Sequence, residues 1–137
     1  MMKPCRFAAL PAGALVFASL MALAAGARAQ STDDPALVTR GQRLFLRCAS
    51  CHDVSGAAIA KNGPSLKGVL GRHVASVEGY GYSKSLSALS FTWDEDKLAQ
   101  WLERPTALAP GTTMAFEGMP AAADRKAVIA YLRAQRP

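Results

Sequence analysis

Cys48-Ala49-Ser50-Cys51-His52 decides how the rest of the chain is read. The spacing C-x-x-C-H has a physical logic. Positions i, i+3 and i+4 of one helical turn share a face, so both thiols and the imidazole project the same way. Thiols so placed reach the two vinyl groups of one haem and form thioethers, and the imidazole comes beneath the iron as an axial ligand. A thioredoxin-like C-x-x-C expects a βαβ context, and no strand alternation surrounds this one. A zinc site needs four ligands. Past residue 29 the only further His or Cys is His73, so zinc would have to recruit it or a carboxylate. A plain disulfide across two residues would leave His52 without a task. The pattern predicts one haem c attached through Cys48 and Cys51, with His52 on the iron.

Upstream of the motif, Leu37, Gly41, Leu44, Phe45 and Cys48 recur at helical spacing, which predicts a helix from Ala36 to about Cys48. Downstream, Asp53 to Gly81 is rich in glycine and lacks a strand pattern, so it reads as loop. A short helical turn is expected over Ser83 to Leu89. Thr92-Trp93-Asp94-Glu95 fits a capping box with Thr92 as N-cap, opening a helix that Pro105 ends. The acids Asp94, Glu95 and Asp96 suit that helix start. Thr106 to Gly118 is a second loop around Pro110-Gly111. Pro120 suits the first turn of a last helix to about Gln135, with Ala127, Val128, Tyr131 and Leu132 as its apolar face. The fold class expected is all-α: three main helices and long Gly/Pro loops. Loops of that length in so small a domain need a bound group to pack against.

The N-terminal end reads differently. Lys3 and Arg6 precede a long apolar stretch, Phe7 to Leu23, and Ala27-Arg28-Ala29 has the A-x-A cleavage form. Residues 1–29 are therefore expected to be a cleaved secretory signal peptide rather than a membrane anchor, and 30–137 one domain. The whole chain has 137 residues and a formal charge of +6. Cleavage would remove three of its sixteen basic residues and none of its ten acids, which leaves +3. That modest charge, with no Lys/Arg run, argues against nucleic acid as a partner. Of three cysteines, Cys5 would leave with the leader. An exported haem protein places the chain in a bacterial periplasm, with no stable membrane insertion and no sign of more than a monomer.

A haem iron also takes a sixth ligand in electron-carrying proteins, usually Met or His. The candidates are Met114, Met119 and His73. Met114 ends the loop Pro110-Gly111-Thr112-Thr113-Met114, which can raise a thioether over a flat ring. Against this stands the ordinary use of Met as core filling.

With these segments in view, the chain resembles class I cytochrome c, the mitochondrial and bacterial c2-like branch. The resemblance runs from Gly41 to Leu132. Its matching segments include Cys48-x-x-Cys51-His52, Asn62-Gly63-Pro64-Ser65-Leu66, Gly79-Tyr80-Gly81-Tyr82-Ser83, Thr92-Trp93 and Pro110-Gly111-Thr112-Thr113-Met114-Ala115-Phe116. It implies Met114 as the axial thioether and Pro64 as the carbonyl that accepts the other ring N–H of His52. It implies Arg72, Tyr82 and Trp93 near one haem propionate and Thr112 near the other. It implies that Gly41 and Phe45 meet the last helix around Val128 and Tyr131. Three departures stand out. Trp101 replaces a tyrosine near the axial sulfur, and Leu86 replaces an asparagine of a buried water network. Thr106, Ala107, Thr113, Ala121 and Ala122 occupy positions that carry lysines around the haem edge in mitochondrial members. Arg43, Arg47 and Lys61 keep part of that rim, so steering toward an acidic partner should be weaker.

The function implied is a one-electron carrier and not an enzyme. Its partners would be redox proteins docking at the exposed haem edge: an oxidase, a reductase complex or a periplasmic dehydrogenase. Peroxidase-like turnover and small-gas sensing both need an open iron, and no distal His–Arg pair or partner domain supports them.

Overall fold

The computed structural model describes residues 34–56 and 61–136. The leader assigned to 1–29, and its cleavage site, lie outside the described residues. Five helices follow one another: α1 (Pro35–Phe45), α2 (Lys84–Ser87), α3 (Glu95–Glu103), α4 (Pro105–Leu108) and α5 (Ala122–Ala134). The described residues hold no β-strand, only an isolated antiparallel bridge between His73 and Thr92. The all-α expectation stands, and α2 falls inside the turn expected over 83–89.

Each helix starts for a local reason. The Asp34 side chain accepts from the Ala36 N–H at 2.9 Å, and Pro35 occupies the first turn, where a missing N–H costs nothing. Ser83 caps α2 by accepting from the Leu86 N–H. Asp94 caps α3 by accepting from the Lys97 N–H at 2.7 Å.

That last contact corrects the capping box. Thr92 is not the N-cap: it sits in the bridge to His73, whose bonds are made by Phe91 and Trp93 on either side, and the cap falls two residues later. Glu95 does not reach back either; it pairs with Arg133 of α5. Pro105 also does more than stop a helix. It lies after the end of α3 and opens the one-turn α4, again at a first-turn position. Pro120 precedes the last helix rather than starting it, and Arg125 fixes that entry by donating to the carbonyls of Met119 and Pro120 at 2.8 and 2.7 Å. The α1 helix ends at Phe45 and not at Cys48; the chain then winds on in tight turns through the motif.

The core forms where α1 crosses α5 and α3 packs beside them. A β-carbon on Gly41 would lie 1.9 Å from the carbonyl oxygen of Ala127, so only glycine permits this crossing. Phe45 meets Tyr131 with ring centroids 5.1 Å apart, the pairing expected from the sequence. Met119 is 1 % exposed and its N–H donates to Leu102 at 2.7 Å. It therefore fills the core, the ordinary use of a methionine. Among the described residues no helix is long and apolar enough to cross a membrane.

Candidate haem site

The turns after α1 build one wall of the site. The Cys48 and Ala49 N–H groups donate to Phe45, and the Cys51 and His52 N–H groups donate to Cys48, at 2.8–3.0 Å. This winding brings Cys48, Cys51 and His52 to one cavity of about 360 Å³. Cys48 is half-buried and Cys51 exposed. Burial pushes the Cys48 thiol up; the neighbouring Arg47 charge pulls it partly back.

His52 is held from behind. Its Nδ1 lies 2.8 Å from the Pro64 carbonyl, which can only accept, so Nδ1 carries the proton. Nε2 is then left with its lone pair. Burial lowers the His52 pKa, and the Pro64 bond and the Asp53 charge oppose that shift in part, so the ring is neutral near pH 7. Gly63 makes room: a β-carbon there would sit 2.4 Å from His52 Cε1. The Gly63 N–H also donates to the Cys51 carbonyl at 2.7 Å.

Two further residues brace this wall, and the sequence reading gave neither that role. Asp53 Oδ1 accepts from Ser55 and Ser65 side chains and from backbone N–H groups of Ser55 and Gly56. Desolvation raises the Asp53 pKa, but those hydrogen bonds outweigh it and hold the carboxyl below its usual range. The pattern Asp53-Val54-Ser55-Gly56 is the signal that could have revealed this turn. Lys61, read as part of the basic rim, is exposed and also donates its ammonium to the Ala49 and His52 carbonyls.

The second loop supplies a further part of the lining. Met114 is half-buried and lines the same cavity, as does Thr112, whose hydroxyl accepts from the Met114 N–H at 3.3 Å. Met119 is not among the lining residues. His73 borders the cavity, but it is exposed and its Nδ1 donates to the Val74 carbonyl at 2.8 Å.

Arg72, Tyr82 and Trp93 are brought together as expected. Gly71 donates to Trp93, and Trp93 to Arg72, at 2.8 and 2.9 Å across the short bridge. Arg72 is half-buried and donates to the Ser65 and Lys67 carbonyls at 2.8 and 3.2 Å. The Tyr82 hydroxyl accepts from the Val77 N–H, and burial raises its pKa against the pull of that bond and of Arg72. Trp93 stands edge-on to Trp101 at 5.7 Å, and both border the cavity. Leu86 is buried on the same boundary.

The residues fit a haem. The walls are mainly apolar, two thiols reach the chamber from one side, and a neutral imidazole with a free nitrogen lines it. Comparison with known proteins agrees. A family profile described as "Cytochrome c" matches residues 38–136. Cytochrome c of Gibberella zeae is 43 % identical over 97 residues, 70 % of this chain and 92 % of that one. Cytochrome c-554 of Methylosinus trichosporium is 40 % identical over 119 residues, 86 % of this chain and 88 % of its own. Cytochrome c2 of Rhodoblastus acidophilus is 41 % identical over 92 residues, 67 % and 86 % of the two chains. The chain therefore belongs to the cytochrome c family of electron carriers, with one haem c attached covalently through Cys48 and Cys51.

Proposed function

We propose that this chain is an exported, soluble one-electron carrier whose haem iron is held between His52 and Met114, and that it has no enzymatic turnover of its own. The observation that carries the reading is the shared cavity: His52 lines one wall, tied to Pro64 through Nδ1, and Met114 lines another. The bound haem supplies the exchange of one electron between Fe(II) and Fe(III), and a thioether ligand favours the reduced state. The chain's own residues do the rest. Pro64 fixes the tautomer of His52 and raises its basicity. Arg72 and Trp93, joined by the short bridge, and Tyr82, held by Val77, meet one propionate, and Thr112 meets the other. The apolar lining keeps water from the ring. Residues 1–29 are removed on export, and residues 30–137 work in a periplasm as a monomer. Redox proteins dock briefly at the haem edge; an oxidase, a reductase complex or a periplasmic dehydrogenase would each suit.

The optical spectrum of the purified haem protein tests this, ferric and then reduced, with and without carbon monoxide. A methionine-to-iron charge-transfer band and no carbon monoxide shift is the expected result. A high-spin spectrum, or ready carbon monoxide binding, would overturn the ligand pair and favour catalysis or gas binding at an open iron.

A further inference from the structure

We propose that Asp53 sets the readiness of the haem iron to take up an electron, acting through His52. Its carboxylate is a fixed negative charge beside the axial ring, and Lys61 is a weaker positive charge that opposes it. Asp53 is in this respect a positioning residue, working through its neighbour. The proposal rests on the carrier reading above, with His52 on the iron, and names what tunes it.

Asp53 follows His52 in the chain and shares its support. The segment after Gly63 runs alongside both. The Pro64 carbonyl holds His52 Nδ1, the Ser65 hydroxyl donates to Asp53 Oδ1 at 2.9 Å, and the Leu66 N–H donates to the Asp53 carbonyl at 2.8 Å. One carboxylate oxygen does all the bonding. Oδ1 also accepts from the Ser55 hydroxyl and N–H at 3.0 Å each and from the Gly56 N–H at 3.3 Å. Oδ2 is buried and has no hydrogen-bond partner. No ion pair among the described residues involves Asp53. The donors to Oδ1 are all neutral. They favour the ionised carboxyl without cancelling its charge.

A turn alone does not need that charge. Asparagine and serine accept the same backbone N–H bonds as aspartate and build the same kind of turn. What aspartate adds is an uncompensated negative charge beside a ring that lines the haem cavity.

The charge acts with a definite sign. Asp53 favours positive charge on the His52 ring, and Lys61 disfavours it. Reduction brings one electron from a redox partner and removes one unit of positive charge at the iron. An anion beside His52 therefore favours the oxidised state, and a cation favours the reduced one. The Lys61 ammonium lies 3.3 Å from the His52 carbonyl, but Lys61 is exposed, so dissolved ions screen it. Asp53 Oδ2 is shielded from solvent, so its influence should survive salt.

The test is an equilibrium redox titration of the haem-loaded protein with dissolved mediators, at about 0.01 M and about 1 M salt. Asp53→Asn keeps a side-chain oxygen for the donors and drops the charge. At a fixed solution potential its ratio of reduced to oxidised protein should rise about tenfold, which is about 59 mV for one electron, at both salt concentrations. Asp53→Ser, the second uncharged turn-former, should move the same way. Lys61→Gln should shift the ratio in the opposite direction, by about threefold in low salt and by little in high salt. Ser65→Ala removes a donor to Oδ1 and leaves the charge, so it should lower stability and change the ratio less than about twofold. In denaturant, Asp53→Asn should destabilise the ferric form more than the ferrous form. Uncharged Asp53 variants with the native potential would overturn the proposal. So would equal losses of stability in the two oxidation states, a Ser65→Ala shift as large as that of Asp53→Asn, or a Lys61→Gln shift of the same sign. Failure of the carrier reading looks different: the native protein itself would show a high-spin spectrum or bind carbon monoxide.

Discussion

The two walls of the haem cavity are built in opposite ways. On the histidine side the chain is laced to itself. Gly63 bonds Cys51, Pro64 bonds His52, Asp53 gathers Ser55, Gly56 and Ser65, and Lys61 closes two carbonyls. On the methionine side the loop hangs between anchors. Thr112 donates to Ala109, Met119 to Leu102, and between them Met114 and Phe116 make only short local bonds. The contrast teaches which side of the cavity is fixed by the protein and which is free to give. Loss of packing should be felt first where the lacing is thin.

Mutations can break or sharpen that contrast. The largest effect belongs to the attachment itself. Replacing Cys48 and Cys51 together by serine should leave no haem stain on the denatured chain, and the far-ultraviolet helix signal of the variant should fall. Next comes Gly63→Ala, whose β-carbon would strike the His52 ring and the Cys51 carbonyl. We expect a loss of about 3 kcal/mol in denaturant unfolding, with a disturbed low-spin spectrum. Met114→Ala should be milder in stability, about 2 kcal/mol, yet should open the iron to carbon monoxide and lower its potential. A spectrum unchanged by that substitution would move the sixth ligand elsewhere. Smallest is Thr112→Val, which removes one local bond to the Met114 N–H. It should cost about 1 kcal/mol and show up as faster amide exchange confined to the second loop. If exchange instead rose across residues 48–64, the two walls would not be independent.

The laced wall was also the more legible in sequence. Cys48, Cys51 and His52 announce themselves by spacing, and Gly63-Pro64 by resemblance. Helical periodicity put Gly41 and Phe45 on one face of α1, and the resemblance set that face correctly against α5. The misreadings have physical causes. At Thr92 a T-x-x-E pattern competed with a D-x-x-K one, and long-range pairing with His73 decided in favour of Asp94. The stop at Pro105 held, but α4 beyond it was missed because a one-turn helix is too short to show periodicity. Lys61 was read as a surface charge and is exposed, but nothing in its neighbours reveals the carbonyls of Ala49 and His52 waiting across a loop. Contacts of that kind depend on where two distant segments meet.

The glycine crossing of α1 and α5 has a topological consequence. Gly41 and Ala127 stand near opposite ends of the described chain, and nearly every residue that lines the cavity falls between them. Their contact therefore works as a clasp on a ring. Closing a ring of that length costs about 4 kcal/mol of chain entropy, so the clasp forms late unless something inside the ring holds it together. Once fastened, it holds together the two ends of the segment that lines the cavity. Opening the clasp would loosen the walls while the thioethers still tethered the haem, and breaking the thioethers would leave the haem held by packing alone.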